Sequence, residues 1–468
     1  MMGTITVESL GIIVYLLICV SLAYVTRKTR SFAEFSVGSR KVPTSMIFAS
    51  LAATIIGPGF SVGFTTKGYS TGYVFYWLVL AYSVQTILVG LVFAPRLATF
   101  RNCHTIGDVF NRCYGKFSHL LAGIVSVGLC IGFTAVIGKL AGHLLSGVTG
   151  WPLIVTSAFV TMFVALLTFS GGIRAVIAND GAQFIWFSII IPVTLLTAVF
   201  KNPGPAQEVA ARATELTNTG FAGMTGAQIL GIVVSFLLGE TLTPPFANRA
   251  LAAKDESASR KGFVYAGLYV IVWLGICTTL GIYAHQYIPA DTKPDDVFLG
   301  IGRMLLHPAL YGALIVAIIA VVMSSQESLL NSASVAFVRD ILSIRGKLSD
   351  QSELLYSRMA TIVIAVIAVV VAQYSPSIIE GLLICYSIWA PSILIPLLIG
   401  LYVKDTRSSA GWLSMLCGAS TSIIWQTILK EPSGIPAILV GLAASATGYA
   451  IGHFWGSLHI DETTEVSK

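Results

Sequence analysis

The sequence predicts an all-α polytopic membrane protein with thirteen transmembrane helices. Three observations carry this. Of 468 residues, 55% are hydrophobic and 11% charged, with a mean hydropathy of +0.82; a soluble domain carries about 25% charged residues. Apolar runs of at least about 18 residues, the length that crosses a bilayer, lie near 5–26, 43–69, 72–98, 117–146, 151–169, 172–200, 226–250, 262–287, 307–338, 354–375, 377–403, 409–428 and 433–456. Basic residues then gather in alternate gaps between these runs.

The first run, Thr6–Val25, is longer than the apolar part of a signal peptide and has no basic stretch before it, so a retained span is predicted. With the N-terminus outside, the odd-numbered gaps are cytoplasmic. They run from Arg27 and Lys28, through Arg249 and Lys254, to Arg339 and Arg345, and hold about three quarters of the 28 Lys and Arg. The C-terminus is then cytoplasmic, and the expected location is a cell membrane of the bacterial inner-membrane kind. Loop placement accounts for the net charge of +6; no nucleic acid and no obligate protein partner are expected.

Cys19, Cys130, Cys277, Cys385 and Cys417 sit in apolar runs, and Cys103 and Cys113 in a basic loop. No CxxC or Cys/His metal spacing occurs, so neither a disulfide framework nor a zinc site is expected. The histidines (104, 119, 143, 285, 307, 453 and 459) are scattered, and no Ser/His/Asp set appears. An enzyme is not expected.

Two runs are interrupted. The second reads Ala52-Ala53-Thr54-Ile55-Ile56-Gly57-Pro58-Gly59-Phe60, and Pro removes a helical donor and clashes with the preceding turn. The break opens about fourteen residues into the run, near the bilayer midplane at ~1.5 Å per residue. The seventh run is broken at similar depth by Gly239-Glu240-Thr241-Leu242-Thr243-Pro244-Pro245. Interrupted spans at matching positions of two halves point to a transport site built from inverted repeats. A third signal lies in the ninth run, where Ser324, Ser325, Ser328, Asn331 and Ser332 share one helical face. Lipid cannot satisfy such a stripe, and neutral oxygens suit a hard cation such as Na⁺.

Four regions resemble the sodium/solute symporter family, which has a LeuT-type inverted-repeat fold. They are Phe35–Arg40 with Ser50–Ala53; Thr105–Val109 with Arg112, Tyr114 and Gly115; Gly171–Val176 followed by Asp180 and Gln183; and Ser324 through Ser332 closing on Asp340. The resemblance implies a five-plus-five inverted repeat core. The expected organisation is 1–42, an extra N-terminal helix and cytoplasmic loop; 43–200, the first repeat; 201–404, the second; and 405–468, two C-terminal helices with a short tail. It also implies a main sodium site of the Ala53, Ile56 and Val321 carbonyls with the Ser324 and Ser325 hydroxyls. A second sodium site would use Asp180, with Ser325 and Ser328 opposite. The polar residues that sugar carriers place after the first break are here Gly59 and Phe60, which argues against a sugar.

Charges inside spans cost at least ~2.5–3.5 kcal/mol each at mid-depth. Lys139, Asp180, Glu240 and Glu327 are such charges. Lys139 is a candidate for a solute carboxylate and Glu240 for an amine or polar end; the alternative is an ion pair of Lys139 with Glu240 or Asp180. Gly57 and Phe60 complete the candidate solute site. Tyr69, Tyr76, Trp77, Tyr386 and Trp389 could gate or stack on a ligand, although core packing is the commoner role of such residues. The expected function is sodium-coupled symport of a small polar, carboxylate-bearing solute by alternating access. Alternatives are a proton-coupled symporter of the same fold, a channel, or a transporter-like sensor. The short tail after Trp455 argues against the sensor.

Overall fold

The computed structural model describes residues 11, 14–21, 29–57, 59–201, 206–289, 292–293, 296–346, 348–374 and 378–455. Pro58 and most of the first apolar run lie outside them. Among the described residues the chain is helical throughout, apart from one isolated parallel bridge between Val42 and Ala253. There the Val42 N–H donates to Ala252 O (3.2 Å) and the Lys254 N–H to Val42 O (3.0 Å).

Among the described residues, eight helices are long and apolar enough to cross a membrane, or ten if each bent pair counts as one span. Thirteen separate spans therefore do not emerge from length and apolarity alone. The runs at 151–169 and 172–200 form a single helix, Leu153–Lys201, of 49 residues. At 1.5 Å per residue it is ~70 Å long, over twice the hydrocarbon thickness. It kinks at Gly172, whose φ of +57° suits glycine. A Cβ there would lie 2.6 Å from the Phe35 ring. An amphipathic helix, Ala206–Ala222, precedes Gly226–Leu238 at an angle of 105° and was not expected from the sequence.

The Pro308–Ala336 helix, which carries the serine stripe, is buried on every side from Leu314 onward. A helix buried on all sides sits at the centre of a bundle, and this one packs against Leu153–Lys201 and Lys116–Thr149. Small residues set the closest approaches, as expected where helices pack in lipid. The backbone of Phe64–Thr71 meets that of Glu256–Ala284 so closely that a Cβ on Gly68 would lie 2.2 Å from Thr278 O, and one on Gly281 2.0 Å from Thr65 O. Leu166, Ile185, Ile189, Val272 and Val370 face outward, which suits lipid and not water.

Three of the regions that carried the resemblance pack onto one another. Thr105 caps Ile106–Tyr114, accepting from the Asp108 N–H (2.9 Å), and donates to Asp340 Oδ1 (2.6 Å). A Cβ on Gly107 would lie 2.4 Å from the Asp340 carboxyl carbon. Asn331 Nδ2 donates to Phe35 O (3.4 Å). Asp108 and Glu353 both pair with Arg339, at 3.2 and 3.0 Å. His119, which the sequence leaves isolated, stands 2.8 Å from Asp340 Oδ1 and 3.8 Å from Asp108 Oδ1. Tertiary contact thus gathers a His/Asp/Asp set that linear spacing does not show. It lies beside a cavity of about 540 Å³.

Candidate functional site

The Thr44–Ile55 helix ends in mid-bundle, and the chain resumes as a wide turn at Gly59–Gly63 and then Phe64–Thr71, at 59° to the first segment. An interrupted helix leaves its last carbonyls, here Ala53 to Ile56, without the N–H donors a continued helix would bring. Ser61 Oγ donates to Ile56 O (2.6 Å) and accepts from Trp273 Nε1 (3.1 Å), which anchors the far side of the break.

The stripe helix faces this break. Ser325 Oγ lies 3.2 Å from Val321 O and 3.4 Å from Thr54 O. Gly57 permits the approach, because a Cβ there would lie 2.7 Å from Ser325 Oγ. Ser324 Oγ donates to Asp180 Oδ1 (2.6 Å). A hydroxyl that donates its hydrogen to the protein keeps its lone pairs for a cation. The structure therefore brings the first break and Ser325 together at Gly57 and Thr54, with Val321 one turn before Ser325. The rest of the stripe has protein partners: Ser328 faces Arg249, Asn331 faces Phe35 O and Ser332 faces Asn248.

The structure buries Arg249. Its position among basic residues suggested a cytoplasmic gap, yet it is 1% exposed. Its Nη2 lies 2.8 Å from Asp180 Oδ2, 2.6 Å from Ser328 Oγ and 2.7 Å from Thr54 Oγ1. Its Nε reaches Ser50 Oγ (2.8 Å) and its Nη1 reaches Pro245 O (2.9 Å). Ser50 Oγ also hydrogen-bonds Asp180 Oδ2. Asp180 thus pairs with Arg249. A signal was present in the sequence: Arg249 is followed by Ala250-Leu251-Ala252-Ala253, an apolar stretch and not a polar loop.

The second break is equally defined. Gly226–Leu238 stops, Leu242 takes a φ of +49°, and Pro244–Ala252 follows. Trp389 Nε1 donates to Thr241 O (3.0 Å). Gln85, with its amide oxygen turned toward the chain, accepts from the Thr241 N–H (2.7 Å) and the Glu240 N–H (3.2 Å). Tyr386 Oη donates to Glu240 Oε2 (2.9 Å).

Between the breaks lies a cavity of about 50 Å³. Gly57, Phe60, Glu240, Tyr386 and Ser325 line it, with Phe133, Ile137 and Phe246. Lys139 is not among its lining residues. Two positions beyond Ile137 on one helix is a turn of ~200°, toward the opposite face. Glu327 does not line it either; Asn179 Nδ2 holds both its oxygens, at 3.2 and 3.1 Å. Of the aromatics, Phe60 and Tyr386 reach the cavity and Trp389 braces a break, whereas Tyr69 stacks on His285 and Trp77 is exposed.

Two broken helices around a small central cavity, in an all-helical apolar bundle, define a membrane carrier of the broken-helix class. The profile of the Sodium:solute symporter family matches residues 35–418, and the chain belongs to that family. It is 27% identical over 451 residues to the osmoregulated proline transporter OpuE of Bacillus subtilis (strain 168), covering 90% of this chain and 89% of that one. It is also 27% identical over 418 residues to the high-affinity proline transporter PutP of the same organism, covering 85% and 88%. Both relatives are transporters and not enzymes. Among solved structures, a Na⁺-coupled sialic acid symporter superposes with a TM-score of 0.84 at 17% identity, over 98% of this chain and 99% of that one. That likeness concerns the fold.

Proposed function

We propose that the chain is a sodium-coupled symporter that imports a compact, carboxylate-bearing solute of the amino-acid class by alternating access. One observation carries this: the first helix break and Ser325 meet at the edge of a small cavity whose charged lining group is Glu240. In this reading Na⁺ is held by the Ala53, Ile56 and Val321 carbonyls and the Ser324 and Ser325 hydroxyls. It ties the broken helix to the stripe helix and orders the cavity wall, which raises solute affinity by coupling. Glu240, positioned by Tyr386, receives the amine; Phe60, Phe133 and Phe246 enclose the apolar part. The Lys139 carboxylate contact would belong to another conformation of the cycle. The proline transporters among the relatives make proline the first solute to test.

The same reading takes thirteen helices, a five-plus-five repeat over 43–200 and 201–404, and an external N-terminus. One Na⁺ moving down 100 mV supplies ~2.3 kcal/mol, roughly fifty-fold accumulation. The test is uptake of labelled proline and related amino acids into proteoliposomes under a sodium gradient, with choline as control. Accumulation that needs sodium is expected. Uptake that is the same in choline at constant pH would overturn the proposal.

A further inference from the structure

Two of the three ligands expected for a second sodium, Asp180 and Ser328 but not Ser325, are engaged by a side chain. Asp180 and Ser328 face the Arg249 guanidinium, whose Nη2 lies 2.8 Å from Asp180 Oδ2 and 2.6 Å from Ser328 Oγ. Thr54 Oγ1 is a third oxygen in the same shell, at 2.7 Å. Asp180, Arg249 and Ser328 are buried, at 0%, 1% and 2% exposed, and Thr54 is part-buried. We propose that the Arg249 guanidinium stands where a second sodium ion would bind, a built-in cation that limits the chain to one Na⁺ per cycle. This rests on the symport reading above.

Three arguments support it. Guanidinium has donors only, so the Ser328 and Thr54 oxygens present lone pairs to Nη2, and the same lone pairs cannot also coordinate an ion. The Asp180 carboxylate is already neutralised, and another cation in its shell would meet a like charge in a medium of low dielectric. The main site differs, because Ser324 and Ser325 turn their hydrogens toward Asp180 and Val321 and leave their lone pairs open. The two places are linked through one carboxylate: Ser324 bonds Oδ1 of Asp180 and Arg249 bonds Oδ2. Arg249 also joins the helix after the second break to Ser50 and Thr54 on the helix before the first. The guanidinium thus does mechanically what a second ion would do, and stays in place after the first ion has left.

The test is equilibrium binding of ²²Na⁺ to the purified full-length protein, with transport stoichiometry read from the reversal potential. Wild type is expected to bind one Na⁺ per chain, with a Hill coefficient of one. Arg249→Gln frees the Asp180 shell and is expected to bind two. Arg249→Lys keeps a cation there and is expected to bind one; it also serves if the Gln variant fails to fold. Two ions bound by wild type, or one by a folded Arg249→Gln, would overturn the proposal. No bound ion, with sodium-independent uptake, would instead remove the symport reading itself.

Discussion

Gly57→Ala tests the proposed sodium site with the smallest change available, one methyl group. An added Cβ would lie 2.7 Å from Ser325 Oγ and 3.1 Å from Thr54 O, against an ordinary contact of about 3.4 Å. The hydroxyl must therefore retreat by about 0.7 Å, which a serine achieves by changing rotamer. That rotation would remove its oxygen from the proposed ion site. Loss of one oxygen ligand is comparable to loss of a hydrogen bond to a charged group, ~1.5–3 kcal/mol. Sodium affinity should then fall roughly ten- to hundredfold. The assay is the half-saturating sodium concentration for uptake, together with the sodium-induced shift in melting temperature in detergent. Ser325→Ala should produce a similar loss. The double variant should be little worse than either single one, because both changes act through one oxygen. A half-saturating concentration within twofold of wild type for Gly57→Ala, or fully additive losses in the double variant, would refute the reasoning.

Ser324→Ala should raise the half-saturating sodium concentration at least tenfold while leaving the ratio of apparent KM values among competing solutes unchanged, as competition assays would show. Glu240→Gln should weaken solute affinity more than sodium affinity, and Tyr386→Phe, which removes a 2.9 Å hydrogen bond to that carboxylate, should raise solute KM by roughly tenfold. Gly281→Ala should cost ~1–3 kcal/mol of stability or more, visible as a lower melting temperature, because the backbone of Phe64–Thr71 leaves no space for a Cβ. His104, in the loop before Ile106–Tyr114, is pushed down to about 4, chiefly by burial. A histidine held neutral in this way contributes its full stability above the ordinary pKa of ~6.5 and loses it progressively down to about 4. Melting temperature should therefore fall between pH 6.5 and 4, and His104→Gln should flatten that fall.

Both helix breaks were legible because Gly and Pro act on their own backbone. The helices end at Ile55 and at Leu238, next to the residues that said so. The stripe was legible because residues four apart share a helical face whatever surrounds them. Its chemistry was less so. Five oxygen-bearing side chains in a row suggest one continuous lining, whereas the fold gives Ser325 to the first break, Ser324 to Asp180, and Ser328, Asn331 and Ser332 to other protein partners. The long Leu153–Lys201 helix shows the same limit for span counting. The sequence separates the runs 151–169 and 172–200, but a kink at one glycine bends the helix there without interrupting it.

Composition and local periodicity are properties of the chain itself. They determined a helical membrane protein, the positions of its two interruptions and the face on which its polar oxygens lie. Which charges meet was decided only by the fold. Asp180 pairs with Arg249, 69 residues away; Glu327 is held by Asn179, 148 residues away; His119 reaches Asp340, 221 residues away. Lys139, near the cavity in sequence register, is turned from it by the rotation of its helix. Burying a charge is costly enough that a partner must be found, but the partner is chosen by how helices pack, and helical periodicity carries no record of that choice.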